Sequence, residues 1–172
     1  MASSQDSWIK DYQSSILSLD EFLKLVELED LKVDIQKNKK KEFPFKVTRQ
    51  FAKRIKKRDP NDPLFLQIVS KNFRAARNPD FSNDPLLENN LNTGLPLLKK
   101  YEGRALLLLT GSCAIHCRYC FRQKFSYSSR IGSKKLFESI KKIKRDHSIK
   151  EVILSGGEPL TLTDQKLKDI VK

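Results

Sequence analysis

Apolar residues recur at helical spacing in the first half of the chain and gather into short unbroken runs in the second, so the halves predict different architectures. Trp8, Ile9, Tyr12 and Ile16 fall on one face of a first helix, and this aromatic stripe reads as core. Ser18 followed by Glu21 has the form of a capping box, in which each side chain satisfies the other's backbone N–H. It predicts a second helix with Phe22, Leu23, Val26 and Leu28 on its apolar side. Lys37 to Lys41 reads as a charged connector, and Thr48 to Ile55 as a weaker helix with Phe51 and Ile55 four apart. Asp59-Pro60-Asn61-Asp62-Pro63 is turn chemistry. Asp62 suits an N-cap and Pro63 the first helical position, where a missing N–H costs nothing, so Leu64 to Val69 should be a short helix. Asn78 to Pro96, with three prolines, reads as extended or looped.

In the second half, Ala105 to Leu109 is a continuous apolar run, as expected of a strand buried on both faces. Ser133 should cap a helix with Leu136, Phe137, Ile140 and Ile143 along one face. Val152 to Leu154 is a second short strand, and Thr163 to Lys172 begins another helix. The order strand, loop, helix, strand, loop, helix implies parallel strands with right-handed crossovers. Such sheets bind ligands beyond the carboxyl ends of their strands. The expected class is therefore α/β: a helical region over 1–98, then the first two β/α units of a parallel sheet over 99–172. Two parallel strands leave apolar edges uncovered, so the sequence reads as truncated.

Composition narrows the classes. With 172 residues and a hydrophobic fraction of 38%, the chain can bury a core. The net charge of +13 comes mainly from dispersed lysines without interleaved aromatics, which argues against a nucleic-acid partner, since base stacking needs those rings. The polar Met1 to Lys10 segment lacks the apolar centre of a signal peptide, and no run approaches the roughly 18 apolar residues of a membrane span. The expectation is a cytoplasmic protein with no membrane partner.

All three cysteines lie between Cys113 and Cys120, directly after the first strand. An odd number packed so closely does not form a disulfide framework and points to a metal site in a reducing compartment. Three thiolates can each ligate one iron of a cubane cluster and leave a fourth iron open for chemistry. The alternative is a zinc site with His116 as fourth ligand, as in a basic zinc-binding, RNA-contacting module. It is the weaker reading, because His116 adjoins Cys117 and zinc ligand pairs normally keep two to four residues between them. Ser155-Gly156-Gly157-Glu158-Pro159 follows the second strand. Its glycines permit close backbone approach to a ligand, and Glu158 can accept from an ammonium group.

The spacing Cys113-x3-Cys117-x2-Cys120, with aromatic Tyr119 before the last cysteine, resembles the radical S-adenosylmethionine superfamily. The resemblance implies a partial (β/α)6 barrel, of which 99–172 would be the incomplete start. It also implies a [4Fe-4S] cluster held by Cys113, Cys117 and Cys120, and S-adenosyl-L-methionine cleaved reductively to methionine and a 5′-deoxyadenosyl radical. Tyr119, Gly156, Gly157 and Glu158 would meet that cofactor. Tyr101-Glu102-Gly103-Arg104, Phe121 to Phe125, Asn61-Asp62-Pro63-Leu64 with Gln67, and Phe81 to Leu86 resemble the lysine 2,3-aminomutases more narrowly, with the flavour of the branch that makes (R)-β-lysine for elongation factor P. That family implies isomerase activity on L-lysine. It implies pyridoxal 5′-phosphate near Tyr101 and Arg104, and a substrate carboxylate at Arg122. A flavodoxin or ferredoxin reductant is expected, and a homo-oligomer is compatible with the family. The family's pyridoxal-binding lysine and its later acidic residues lie beyond the matched motifs, so no catalytic lysine is assigned. The chain alone is expected to hold a cluster without performing aminomutation. Another amino-acid aminomutase, or an inactive remnant, is the alternative within this reading.

Overall fold

The structure is a computed structural model that describes residues 7–30, 44–69, 82, 84–91 and 93–172. The expected Lys37–Lys41 connector lies outside them, as does most of the segment over 70–83. Contacts divide the chain into two compact units, Met1–Asn83 with Ala114–Lys124, and Asp84–Cys113 with Phe125–Lys172. The chain is mixed α/β, with a two-stranded and a three-stranded sheet among the described residues.

The first unit begins with α1 (Ser7–Ser14), β1 (Ile16–Leu17) and α2 (Leu19–Leu25), and continues through β2 (Val47–Thr48), α3 (Arg49–Ala52) and α4 (Pro63–Ile68). Both caps forecast for this unit are present. The Ser18–Glu21 capping box opens α2, and Asp62 accepts the Leu64 and Phe65 N–H groups to open α4. These elements enclose Phe22, Val26, Val47 and Phe65, each essentially inaccessible, with the Phe22 and Phe65 rings stacked at 5.8 Å. Burying each ring contributes about 1.5–3 kcal/mol. Ile115, from between the cysteines, packs against the same core.

Three expectations change. Ile16 leaves the helix to pair antiparallel with Thr48, where its β-branched side chain suits a strand. Trp8, Ile9 and Tyr12 stay half-buried outside the core. The Thr48–Ile55 helix stops at Ala52, because Arg54 and Ile55 donate to Phe51 and Ala52 in tighter i to i−3 bonds that turn Ile55 into the core.

The second unit has a 3₁₀ turn (Glu88–Leu91), β3 (Leu97–Tyr101), β4 (Arg104–Thr110), α5 (Tyr127–Arg130), α6 (Ser133–Arg145), β5 (Glu151–Gly156), a second 3₁₀ turn (Pro159–Thr161) and α7 (Asp164–Val171). The sheet order is β3-β4-β5. The parallel β4–β5 pair matches the expectation and runs in register from Arg104↔Glu151 to Leu108↔Ser155. The buried run Leu107 to Leu109 lies on this central strand. β3 was not anticipated. It pairs antiparallel with β4 across Glu102–Gly103, where Gly103 takes φ +69. Its Leu97-Leu98-Lys99-Lys100 sequence has no strand alternation.

Helix α6 also differs in detail. Gly132, not Ser133, is its N-cap. Its most buried residue is Ser139, whose hydroxyl donates to the Lys135 carbonyl at 2.8 Å, while Phe137 is 58% exposed. Leu136, Ser139, Ile140 and Ile143 form the i, i+3, i+4, i+7 stripe, and Phe137 lies one helical step off it.

Candidate functional site

The carboxyl ends of β4 and β5 are tied together by backbone. Gly157 N–H donates to the Thr110 carbonyl at 2.6 Å, and Glu158 N–H to the Ser112 carbonyl at 2.7 Å. Gly156 has φ +124, and a β-carbon there would overlap the Thr110 carbonyl. A β-carbon on Gly157 would overlap Ser112 and stand 3.0 Å from the Cys113 Sγ. Both glycines are therefore required by close approach, and the second unit brings together Cys113, Gly156, Gly157 and Glu158 as the sequence suggested. One Glu158 carboxylate oxygen accepts the Leu160 N–H at 3.0 Å, which holds the side chain over the turn that follows.

A residue that sequence reasoning passed over completes this end of the sheet. The Tyr127 hydroxyl donates to the Gly156 carbonyl at 2.8 Å. Its ring fills the space where a Gly111 β-carbon would stand 2.9 Å away, and it also packs on Phe125. Only the aromatic-rich Phe125-Ser126-Tyr127 string hinted at this role.

Cys117 and Cys120 belong to the first unit, and the stretch that carries them is held there by several bonds. His116 N–H donates to the Lys46 carbonyl at 2.9 Å, and the His116 Nδ1 lies 2.5 Å from the Pro44 carbonyl, a bond that needs the proton on Nδ1. Burial pushes the His116 ring below its ordinary 6.5, against the opposite pull of the Pro44 carbonyl. The Arg118 N–H donates to the Gln67 carbonyl at 2.8 Å, and the Gln67 side-chain amide donates to the Cys117 Sγ at 3.3 Å. Gln123 donates to the carbonyls of Cys117 and Arg118. Tyr119 is 66% exposed, and its phenol is pushed up from its ordinary value by desolvation first, then by Cys117. Arg122 is buried with its guanidinium 4.8 Å from the Phe121 ring.

Tyr101 and Arg104 face one another across the β3–β4 turn, at the opposite end of β4 from Cys113. Tyr101 is exposed, and Arg104 forms an ion pair with Glu151 at 2.6 Å. The structure does not group these two with the Gly-Gly-Glu turn.

The donor chemistry suits a soft metal. None of the three cysteines is in a disulfide and all are partly exposed, one sulfur already accepts an amide hydrogen bond, and another lies where glycine leaves room. Among the described residues, no three His, Cys, Asp or Glu side chains are already gathered into a metal cage. No described helix is long and apolar enough to cross a membrane.

Comparison with known proteins agrees with the motifs. Residues 100–172 match a family model described as a 4Fe-4S single cluster domain. The chain is 41% identical over 174 residues to an L-lysine 2,3-aminomutase of Buchnera aphidicola, covering 97% of this chain and 50% of that protein. It is 34% identical to the L-lysine 2,3-aminomutase of Haemophilus influenzae, covering 98% and 50%, and 36% identical to that of Escherichia coli, covering 95% and 48%. The chain thus spans about half the length of these relatives. By sequence, the chain is similar to L-lysine 2,3-aminomutases along nearly all of its own length and about half of theirs.

Proposed function

We propose that this chain carries the cluster- and S-adenosylmethionine-binding part of an L-lysine 2,3-aminomutase, an isomerase that converts L-lysine to β-lysine, with elongation factor P modification as its setting. The observation that carries the reading is the packing of the Gly-Gly-Glu turn on Cys113, with a β-carbon on Gly157 only 3.0 Å from its Sγ. It joins the two motifs that the superfamily resemblance requires to act together.

In this reading Cys113, Cys117 and Cys120 hold a [4Fe-4S] cluster through three irons. When bound, the cluster supplies one electron for cleavage of S-adenosylmethionine to methionine and a 5′-deoxyadenosyl radical, and pyridoxal 5′-phosphate supplies the π-system for nitrogen migration. This chain's residues bind and orient. Gly156 and Gly157 bring backbone close to the methionine portion, and Glu158 accepts from its ammonium group. Tyr119 adds an aromatic contact to S-adenosylmethionine, and Arg122 presents a planar fork to the lysine carboxylate. Tyr101 and Arg104 are assigned to pyridoxal phosphate, for which Arg104 must exchange Glu151 for the phosphate. The three-stranded sheet would be the start of a partial (β/α)6 barrel. A flavodoxin or ferredoxin is the proposed electron donor.

The zinc alternative is the weaker one because His116 adjoins Cys117, whereas zinc ligand pairs normally keep two to four residues between them. Anaerobic reconstitution tests the proposal. The wild-type chain should bind iron and sulfide, absorb in the visible, and cleave S-adenosylmethionine when reduced. Replacement of Cys113, Cys117 and Cys120 by Ala should abolish iron binding. Unchanged iron content in that variant would sink the reading.

A further inference from the structure

We propose that Gln67 is a positioning residue for the cluster, setting its reduction potential through an N–H···S hydrogen bond to Cys117. The inference rests on the cluster reading above, but its evidence is separate. The Asp62-Pro63-Leu64 motif opens α4 by satisfying the Leu64 and Phe65 N–H groups. Phe65 and Ile68, buried in the core of the first unit, fix the rotation of that helix. Gln67 lies between them in sequence and so points to a different side. There it makes two bonds to the cysteine stretch. Its backbone carbonyl accepts the Arg118 N–H at 2.8 Å, and its Nε2 donates to the Cys117 Sγ at 3.3 Å.

The backbone bond fixes the residue that follows Cys117, and the side-chain bond addresses the sulfur itself. Reducing an iron–sulfur cluster adds negative charge that the sulfurs share. A donor aimed at a ligand sulfur therefore stabilises the reduced form more than the oxidised form, and hydrogen bonds to sulfur are among the factors that set cluster potentials. Gln67 thus eases one-electron reduction of the cluster. It also explains why a helix of six residues has a polar side chain beside two buried ones.

The test uses the reconstituted chain, with wild type, Q67M and Q67E compared by iron and sulfide content and by a redox titration followed by electron paramagnetic resonance. Q67M keeps the side-chain length and the backbone bond to Arg118 but removes the donor. Full cluster content is expected, with the one-electron equilibrium shifted toward the oxidised form on the order of tenfold, about 59 mV more negative. Q67E, which puts a carboxylate where the donor was, should shift it at least as far. A wild-type potential in a fully loaded Q67M overturns the proposal and leaves the cluster reading intact. If Q67M fails to load, Q67E decides: a lowered potential supports the proposal and an unchanged one overturns it. Loss of the cluster from both variants, with the fold unchanged by circular dichroism, assigns residue 67 to holding the sulfur and overturns the tuning role. A wild-type chain without iron instead overturns the underlying cluster reading.

Discussion

Substituting Gly157 by Ala tests whether the Gly-Gly-Glu turn and the cysteine strand-end form one packed unit. The added β-carbon would stand 2.6 Å from the Ser112 carbonyl carbon and 3.0 Å from the Cys113 Sγ. Carbon pairs rest at about 3.5–4.0 Å, so about 1 Å of movement is needed against backbone that cannot rotate away. Overpacking of this kind costs about 1–3 kcal/mol. The same movement pulls the Glu158 N–H off the Ser112 carbonyl, now at 2.7 Å, and that loss adds about 0.5–1.5 kcal/mol. The sum is about 1.5–4.5 kcal/mol, which at an m of about 2 kcal/mol/M lowers the urea midpoint by roughly 0.8–2.3 M. Urea titration of the apoprotein reads the fold, and iron retention after reconstitution reads the ligand that the turn supports. Gly132→Ala is the control, since a β-carbon there meets nothing within 4 Å. Equal midpoints and equal iron retention for G157A and G132A would refute the argument.

Two further outcomes follow from specific contacts. Asp146 is held at about 2, below its ordinary 3.8, by Lys99 first and then by the Ser148 hydroxyl and amide. A depressed carboxyl contributes above its unfolded value and loses that contribution as pH falls through the folded one. Wild type should therefore exceed D146N in urea midpoint at pH 7, with the gap closing between about pH 4 and pH 2; a gap that widens on acidification contradicts this. Tyr127→Phe keeps the ring against Gly111 but removes the bond to the Gly156 carbonyl, so urea unfolding should show a loss of about 0.5–1.5 kcal/mol, and an unchanged midpoint would discount the bond.

Local signals reached the structure where one element answered one pattern. Ser18–Glu21 and Asp62-Pro63 marked helix starts that the structure keeps, because capping satisfies N–H groups within four residues of the cap. Ala105 to Leu109 marked the central strand, because a strand covered on both faces needs an unbroken apolar run. Patterns failed where a distant partner decided. Ile16 reads as the next position of a helical stripe, yet Thr48 recruits it into a strand. Leu97 to Tyr101 carries no alternation, yet it becomes a strand because the two-residue turn at Glu102–Gly103 folds it back on β4. Phe137 looked like core, but a small Ser139 faces inward instead.

The candidate site divides in the same way. Spacing alone named the three cysteines, because ligands on one short stretch are a local property of the chain. It named the Gly-Gly-Glu turn too, since glycine is demanded by backbone geometry at that point. Sequence could not reveal that Gln67 reaches the Cys117 sulfur or that Tyr127 latches Gly156, for those bonds join residues 50 and 29 positions apart. Nor could it reveal that Arg104 is ion-paired with Glu151 at the far end of β4, a contact set by the parallel register of two strands. Residue type and spacing determined which groups can do chemistry. The tertiary structure decided which of them meet, because hydrogen bonds and steric contacts depend on distances that only folding brings within a few ångströms.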